Sequence, residues 1–312
     1  MSAVPPAPQP HRSVLYQETI EYLAPKSSGR YLDCTAGAGG HAYGILEASS
    51  PDGQLIAIDL DPTAIQLTSE RLRPFGQRAT VLHDSYLNSA RILQRKGWEE
   101  VDGILLDLGV SSMQLDQVER GFSFRSEAPL DMRFNPTAGE TAADLVNRLT
   151  EKELADVIWK YGEERHSRRI ARRIIQTRPV LTTTQLAEAV RSAVGGTRGR
   201  IDPATRTFQA IRIAVNDELR TVEEAIPGLI ELLKPKGRLV IISFHSLEDR
   251  LVKLAFRRES VDCLCPPEQV ICACGHKASI KILTPRPVVA GQEEINENLR
   301  ARSAKLRAVE KK

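Results

Sequence analysis

Apolar positions along the chain gather into short β-branched runs bounded by turn residues: Tyr31-Leu32-Asp33, Leu55-Ile56-Ala57-Ile58-Asp59, Thr80-Val81-Leu82-His83, Ile104-Leu105-Leu106-Asp107 and Leu239-Val240-Ile241-Ile242. Helical spacing lies between them, and the first four begin about 24 to 25 residues apart. That beat predicts an α/β fold with a parallel sheet and right-handed crossovers. About 130 residues then separate Asp107 from Leu239, where one crossover needs about 30, so roughly 100 residues are expected as an insertion between Ser111 and Pro203. Phe208, Ile211, Val215, Leu219, Val222 and Ile226 step by three and four and predict one apolar helix face leading back to the sheet, stopped by Pro235 and Gly237. Ser279 to Leu283 and Lys305 to Val309 predict a C-terminal antiparallel pair. The domains expected are thus 11–110 with 204–312 for the sheet and 111–203 for the insertion. Residues 1–10, with Pro5, Pro6, Pro8 and Pro10 and no apolar h-region, are expected to be a disordered tail.

The 312 residues, 41% of them apolar, suffice for one large domain or two smaller ones. With 43 basic against 40 acidic residues the net charge is +3, too near balance to name a partner, so any basic face must be local. No apolar run approaches the roughly 18 residues of a membrane span, and a cytoplasmic protein without a membrane partner is expected.

The first strand runs into Asp33-Cys34-Thr35-Ala36-Gly37-Ala38-Gly39-Gly40-His41, followed by a helical pattern. Glycines there let the backbone pass close to a ligand that the helix's free N–H groups face. Asp59 ends the second strand, where a carboxylate can accept both hydroxyls of a ribose. Gly37, Gly39 and Ala42 also satisfy the looser dinucleotide pattern, so an NAD(P)-dependent oxidoreductase is the alternative. Asp33 favours S-adenosylmethionine, whose ammonium and sulfonium it can meet, whereas it would repel a pyrophosphate. Asp61 and Pro62 are read as the cap and first residue of the next helix.

At Asp107-Leu108-Gly109-Val110-Ser111-Ser112-Met113-Gln114-Leu115-Asp116 the sequence becomes specific. With Glu119 to Phe124, Tyr161 to Arg165, Ala204 to Ala210 and Ser243 to Arg250, it closely resembles the bacterial 16S ribosomal RNA cytosine N(4)-methyltransferase family, of MraW type, from about His11 to Val309. The resemblance implies a class I S-adenosylmethionine-dependent methyltransferase sheet, Rossmann-like, with an inserted helical domain. It also implies methylation of a cytidine in the decoding region of 16S rRNA within the small ribosomal subunit. Implied cofactor contacts are Gly39, Gly40, His41, Asp59, Tyr86, Asp107 and Gln114. Tyr86 replaces the phenylalanine of the family at the adenine, and a tyrosine still stacks. A catalytically silent RNA-binding assembly factor of the same fold is a further alternative, and the sequence leaves a homodimer open.

Methyl transfer from a sulfonium is an in-line displacement in which the protein supplies alignment and field. A cytosine amine shares its lone pair with the ring and reacts when acceptors hold its hydrogens out of plane. The Asp/Asn/Ser-Pro-Pro-aromatic turn of many amino-methyltransferases is replaced here by Asp107 to Ser112. The acceptor is therefore left open among a carbonyl of that turn, the Asp107 carboxylate and the hydroxyls of Ser111 or Ser112. His245 and Ser246 end the fifth strand at the same sheet edge, as orienting groups or as structural ones.

Phe122, Phe124 and Phe134 are candidates for receiving a flipped base, or for insertion core. Arg165, Arg168, Arg169 and Arg172 fall on one helix face opposite Ile170 and Ile174, and Arg191, Arg198, Arg200, Arg206 and Arg212 follow against Asp202 alone, which predicts an RNA-facing surface. Cys263-x-Cys265 and Cys272-x-Cys274 supply four thiols that can close a tetrahedral zinc site or simply stay reduced, so the metal is left unknown. Cys34, in the cofactor loop, reads as a small filler.

Overall fold

A computed structural model of the chain describes residues 13–195, 202–266, 268, 269 and 271–312. The Pro-rich tail at 1–10, Arg198, Arg200 and Pro267 lie outside the described residues.

The strands are β1 (Arg30–Asp33), β2 (Gln54–Asp59), β3 (Ala79–His83), β4 (Val101–Asp107), β5 (Leu233–Ser243), β6 (Ile280–Ile282) and β7 (Lys305–Lys311). The helices are α1 (Tyr16–Leu23), α2 (Gly40–Ala48), α3 (Pro62–Leu72), α4 (Ser89–Lys96), α5 (Ser112–Asp116), α6 (Ala142–Arg148), α7 (Glu151–Gly162), α8 (Ser167–Thr177), α9 (Thr183–Val194), α10 (Ala204–Asn216), α11 (Glu218–Glu231), α12 (Ser246–Glu259) and α13 (Gln292–Glu297). The strands form one sheet of order β3-β2-β1-β4-β5-β7-β6, in which β1 to β5 are parallel and β7 is antiparallel to both β5 and β6. The central strands are buried on both faces, as in a sheet covered by crossover helices, which explains their continuous apolar runs. The chain is an α/β protein with the mainly parallel sheet expected, and the antiparallel pair expected at its tail closes one edge.

Strand order reverses between β1 and β4, the switch point beyond whose C-terminal strand ends open α/β sheets bind their ligands. Asp33, Asp59 and Asp107 end three of these strands, and His245 follows β5 by two residues.

β5 begins earlier than the sequence suggests. The pairing jumps from Val101↔Leu233 to Gly103↔Arg238, leaving Pro235, Lys236 and Gly237 in a bulge inside the strand instead of at a helix stop. A bulge tolerates a proline, which has no ladder donor, and Lys236 takes a φ of 68° there.

The chain divides into two compact units. One holds the sheet, with the described residues up to Asp59, Ala64–Leu108 and Gly228–Lys312; the other holds Leu60–Thr63 and Gly109–Pro227. The second unit thus extends past the expected Pro203. Phe208 and Ile211 of α10 pack in its core with Ile158, Ile170, Ile174 and Val190, not on the sheet. The single helix expected from Phe208 to Ile226 is two helices, broken at Asp217, whose φ of 49° caps α10. Spacing alone missed this break because the step from Val215 to Leu219 keeps the helical period across it. Capping boxes at Thr141/Asp144, Thr150/Glu153 and Thr182/Gln185 start α6, α7 and α9.

Candidate active site

The loop after β1 is held from several sides within the sheet unit. Asp59 Oδ2 accepts the Gly37 N–H at 2.8 Å, Thr68 Oγ1 donates to the Gly37 carbonyl at 3.0 Å, and Arg71 Nη1 donates to the Ala38 carbonyl at 3.0 Å. Gly39 starts α2 with a φ of 75°, and a Cβ on Gly40 would meet Ser13 Oγ at 2.1 Å. A side chain is thus strained at Gly39, and one at Gly40 would have to displace Ser13. A Cβ on Gly37 would meet nothing within 4 Å, so the loop backbone borders open space there.

Three acids and a histidine converge on this loop. Asp33 is 1% exposed; its Oδ1 accepts the Thr35 N–H at 3.2 Å, and its Oδ2 is buried without a hydrogen bond. Burial, then the charge of Asp59, pushes its carboxyl up to about 7, against the restraint of the Thr35 bond. Thr35 Oγ1 also accepts the Asp107 N–H at 2.6 Å, tying the end of β4 to the loop. Asp107 Oδ1 is buried and unpaired, and burial followed by the charges of Asp33 and Glu248 holds this carboxyl well above the ordinary carboxylate range. His41 Nε2 lies 3.7 Å from Asp107 Oδ2. Burial lowers the His41 pKa to about 4, so the ring is neutral at physiological pH and cannot serve as the counter-charge. Acceptors without donors, beside an open loop, fit a ligand that carries positive charge and hydrogen-bond donors, as S-adenosylmethionine does.

Tyr86, half-buried, lies in the short 3-10 helix that precedes α4. His245 caps α12: its Nδ1 accepts the Glu248 N–H at 3.3 Å, which leaves the ring proton on Nε2, 3.1 Å from Glu248 Oε1.

In the helical unit, Ser111 and Gln114 form a capping box on α5. Ser111 Oγ accepts the Gln114 N–H at 3.2 Å and Gln114 Oε1 accepts the Ser111 N–H at 3.0 Å. Gln114 Nε2 donates to Asp61 Oδ2 at 2.9 Å, so both its amide atoms are used. Ser112, the first residue of α5, is half-buried. Asp61 is a fully buried hub, capping the Thr63 N–H at 2.9 Å and receiving Arg120 Nη1 at 2.6 Å. Sequence reasoning saw only the cap. Phe122 and Phe124 pack against the helical core; Phe122 stacks on Phe134, and Phe124 meets Phe208 edge-on. Phe122 and Phe124 are thus only partly buried against that core, and Phe134 joins it through its stack on Phe122.

Arg165 precedes α8, whereas Arg168, Arg169 and Arg172 lie on it, all exposed, with Ile170 and Ile174 fully buried. Arg165, His166, Arg168 and Arg169 line a cavity of about 440 Å³ with Asp156 and Trp159, and Trp159 is 58% exposed. The wider basic run shrinks in three dimensions, because Arg191 pairs with Asp202, Arg206 with Glu164 and Arg212 with Glu218. Counting charges along the sequence missed Glu164 and Glu218, which lie outside the window from 191 to 212.

The strand order and the acid-ringed glycine loop define an S-adenosylmethionine-dependent methyltransferase. The MraW methylase family model matches residues 8–312, and the chain belongs to that family. A ribosomal RNA small subunit methyltransferase H from Dehalococcoides mccartyi is 53% identical over 302 residues, 97% of this chain and 86% of that protein. A protein of the same name from Geobacter sulfurreducens is 54% identical over 306 residues, 96% of this chain and 98% of its own. Among solved structures, a rRNA methylase from Streptococcus thermophilus matches at a TM-score of 0.42 and 12% identity, over 95% of this chain and 93% of its own. Among the described residues, no helix is long and apolar enough to cross a membrane.

Proposed function

We propose that the chain transfers a methyl group to the N(4) amine of a cytidine in the decoding region of 16S ribosomal RNA, acting in the cytoplasm on the small subunit or its precursor. Bound S-adenosylmethionine supplies a methyl on a sulfonium, which needs no covalent enzyme intermediate. In this reading Asp33 receives the cofactor's cationic end, Gly39, Gly40 and His41 shape the loop, Asp59 takes the ribose and Tyr86 the adenine. Asp107 accepts a hydrogen of the cytosine amine, freeing the lone pair for in-line attack. Ser111 and Gln114 hold the start of α5, and His245 holds the start of α12. The exposed Arg165, Arg168 and Arg169 beside Trp159 offer phosphate contacts and an aromatic face to RNA.

The observation that carries the reading is the pair of buried, under-bonded carboxylates at the ends of adjacent strands β1 and β4. A methyl-transfer assay with labelled S-adenosylmethionine on small subunits lacking the modification, followed by nucleoside mass spectrometry, tests it. N(4)-methylcytidine is the expected product; 5-methylcytidine or a 2'-O-methylated cytidine would overturn the target atom.

A further inference from the structure

Between α12 and β6 no described residue lies in a helix or strand, and from Val261 to Gly275 no described residue is buried. Leu264 is 40% exposed and Ile271 80%, so this stretch has no apolar core of its own. A segment that buries so little cannot offset the entropy of ordering unless something cross-links it. Its base is fixed by hydrogen bonds: Ser279 N–H to the Glu259 carbonyl at 2.9 Å, Ala278 N–H to Asp262 Oδ1 at 3.1 Å, and His276 Nε2 to the Arg258 carbonyl at 2.9 Å.

The tip holds four cysteines, Cys263, Cys265, Cys272 and Cys274, whose sulfurs all lie within 4.8 Å of one another. The Cys263–Cys272, Cys272–Cys274 and Cys263–Cys274 separations are 3.4, 3.6 and 3.8 Å. Four thiolates at about 2.3 Å from one ion stand about 3.8 Å apart along the edges of a tetrahedron, which these distances approach; a disulfide needs about 2.05 Å. Backbone N–H groups point at the same sulfurs, from Leu264 to Cys274 at 3.3 Å, from Cys265 to Cys263 at 3.4 Å and from Ala273 to Cys265 at 3.4 Å. Such donors stabilise thiolate charge around a metal.

We infer that Cys263, Cys265, Cys272 and Cys274 form a structural zinc site that pins the segment between α12 and β6. On binding, each thiol yields its proton to solvent and each sulfur donates a pair to the ion, with no change of oxidation state. Four protein ligands close the coordination shell, so the ion takes no part in methyl transfer. His276 stays out of the shell, held by the Arg258 carbonyl.

The test is metal analysis of the full-length protein together with thiol titration. We expect about one zinc per chain and four thiols that react only after a chelator is added, with Cys34 buried throughout. Joint Cys263→Ser and Cys272→Ser should abolish zinc retention, and Cys34→Ser should preserve it. Limited proteolysis should then cut the Val261 to Gly275 stretch at least about tenfold faster, and chelation of the unmodified protein should do the same, reversed by added zinc. The chelator arm decides even if the double variant fails to fold. Protein that purifies metal-free and takes up no zinc, that holds iron instead, or whose mass shows two disulfides would overturn the site.

Discussion

Arg120 Nη1 reaches Asp61 Oδ2 at 2.6 Å, with Asp61 wholly buried and Arg120 nearly so. The guanidinium's other arm donates to the carbonyls of Arg133 at 2.9 Å and Phe134 at 3.0 Å, so one side chain ties the Leu60–Thr63 segment to residues 133 and 134 of the same unit. Removing one partner of a buried ion pair strands the other charge, and Arg120→Ala is expected to cost about 3 to 5 kcal/mol by denaturant unfolding. A loss below about 1 kcal/mol would show that the pair is dispensable. Asp61→Asn together with Arg120→Met should recover part of that loss, because no charge is left behind.

Asp33 couples stability and ligand binding to pH with opposite signs. Its folded-state pKa, about 7, stands above the ordinary 3.8, so the folded ligand-free chain binds this proton more tightly than the unfolded chain. Stability from this group is full below about pH 3.8 and is lost as pH rises through about 7. A cation requires the carboxylate, so S-adenosylmethionine affinity should fall by up to about tenfold per pH unit below 7. Asp33→Asn should raise the melting temperature of the ligand-free protein at pH 8, weaken cofactor binding and flatten its pH dependence. Calorimetry showing unchanged affinity and unchanged proton release on binding in the variant would remove Asp33 from the site.

What was legible in the sequence follows the range of the interactions. The central strands announce themselves because burial on both faces makes unbroken apolar runs, and the loop from Asp33 to His41 is visible because a glycine signal is local. The bulge at Pro235 to Gly237 depends on pairing with Val101 and Gly103, far away in sequence, so a proline that looks like a helix stop sits inside a strand. Asp61 illustrates the same limit: its capping role depends on Thr63 and was readable, whereas its pairing with Arg120, 59 positions on, was not. The role of Ser111 was ambiguous because the same hydroxyl suits a cap or a catalytic acceptor. Its bond to the Gln114 N–H shows the cap.

The cavity beside α8 makes RNA binding testable in parts. Arg172 is offset by Glu151 at 3.3 Å in an exposed pair worth little, whereas Arg165, Arg168 and Arg169 face the cavity. Gln at those three positions should lower RNA affinity and reduce the slope of log affinity against log salt by about 0.7 to 0.9 for each phosphate that the variant no longer neutralises. Trp159→Ala should cost about 1 to 3 kcal/mol if one base stacks there, with the salt slope unchanged. Cofactor affinity should be the same in both variants. Filter binding across a salt series checks both effects, and an unchanged slope in the arginine variant would place the RNA elsewhere.

Asp107 and Ser111 can be separated by the effect of removing each. Ser111 is engaged as the cap of α5, so Ser111→Ala should cost about 1 kcal/mol of stability and leave turnover per folded molecule within about twofold. Asp107 ends β4 with an oxygen that nothing in the sheet unit satisfies, and an acceptor aimed at an amine hydrogen acts as the methyl moves. Asp107→Ala should therefore lower kcat by about 10²-fold or more on small subunits, with a smaller loss of cofactor affinity. Asp107→Asn retains an acceptor oxygen and should recover part of the rate. Because burial and the charges of Asp33 and Glu248 raise the Asp107 pKa, the carboxylate form gains population as pH rises, so kcat should climb with pH in the unmodified enzyme and level out in Asp107→Asn. Single-turnover assays with saturating cofactor measure this directly. A full rate with Asp107→Ala would assign the acceptor role to a carbonyl of the turn after β4.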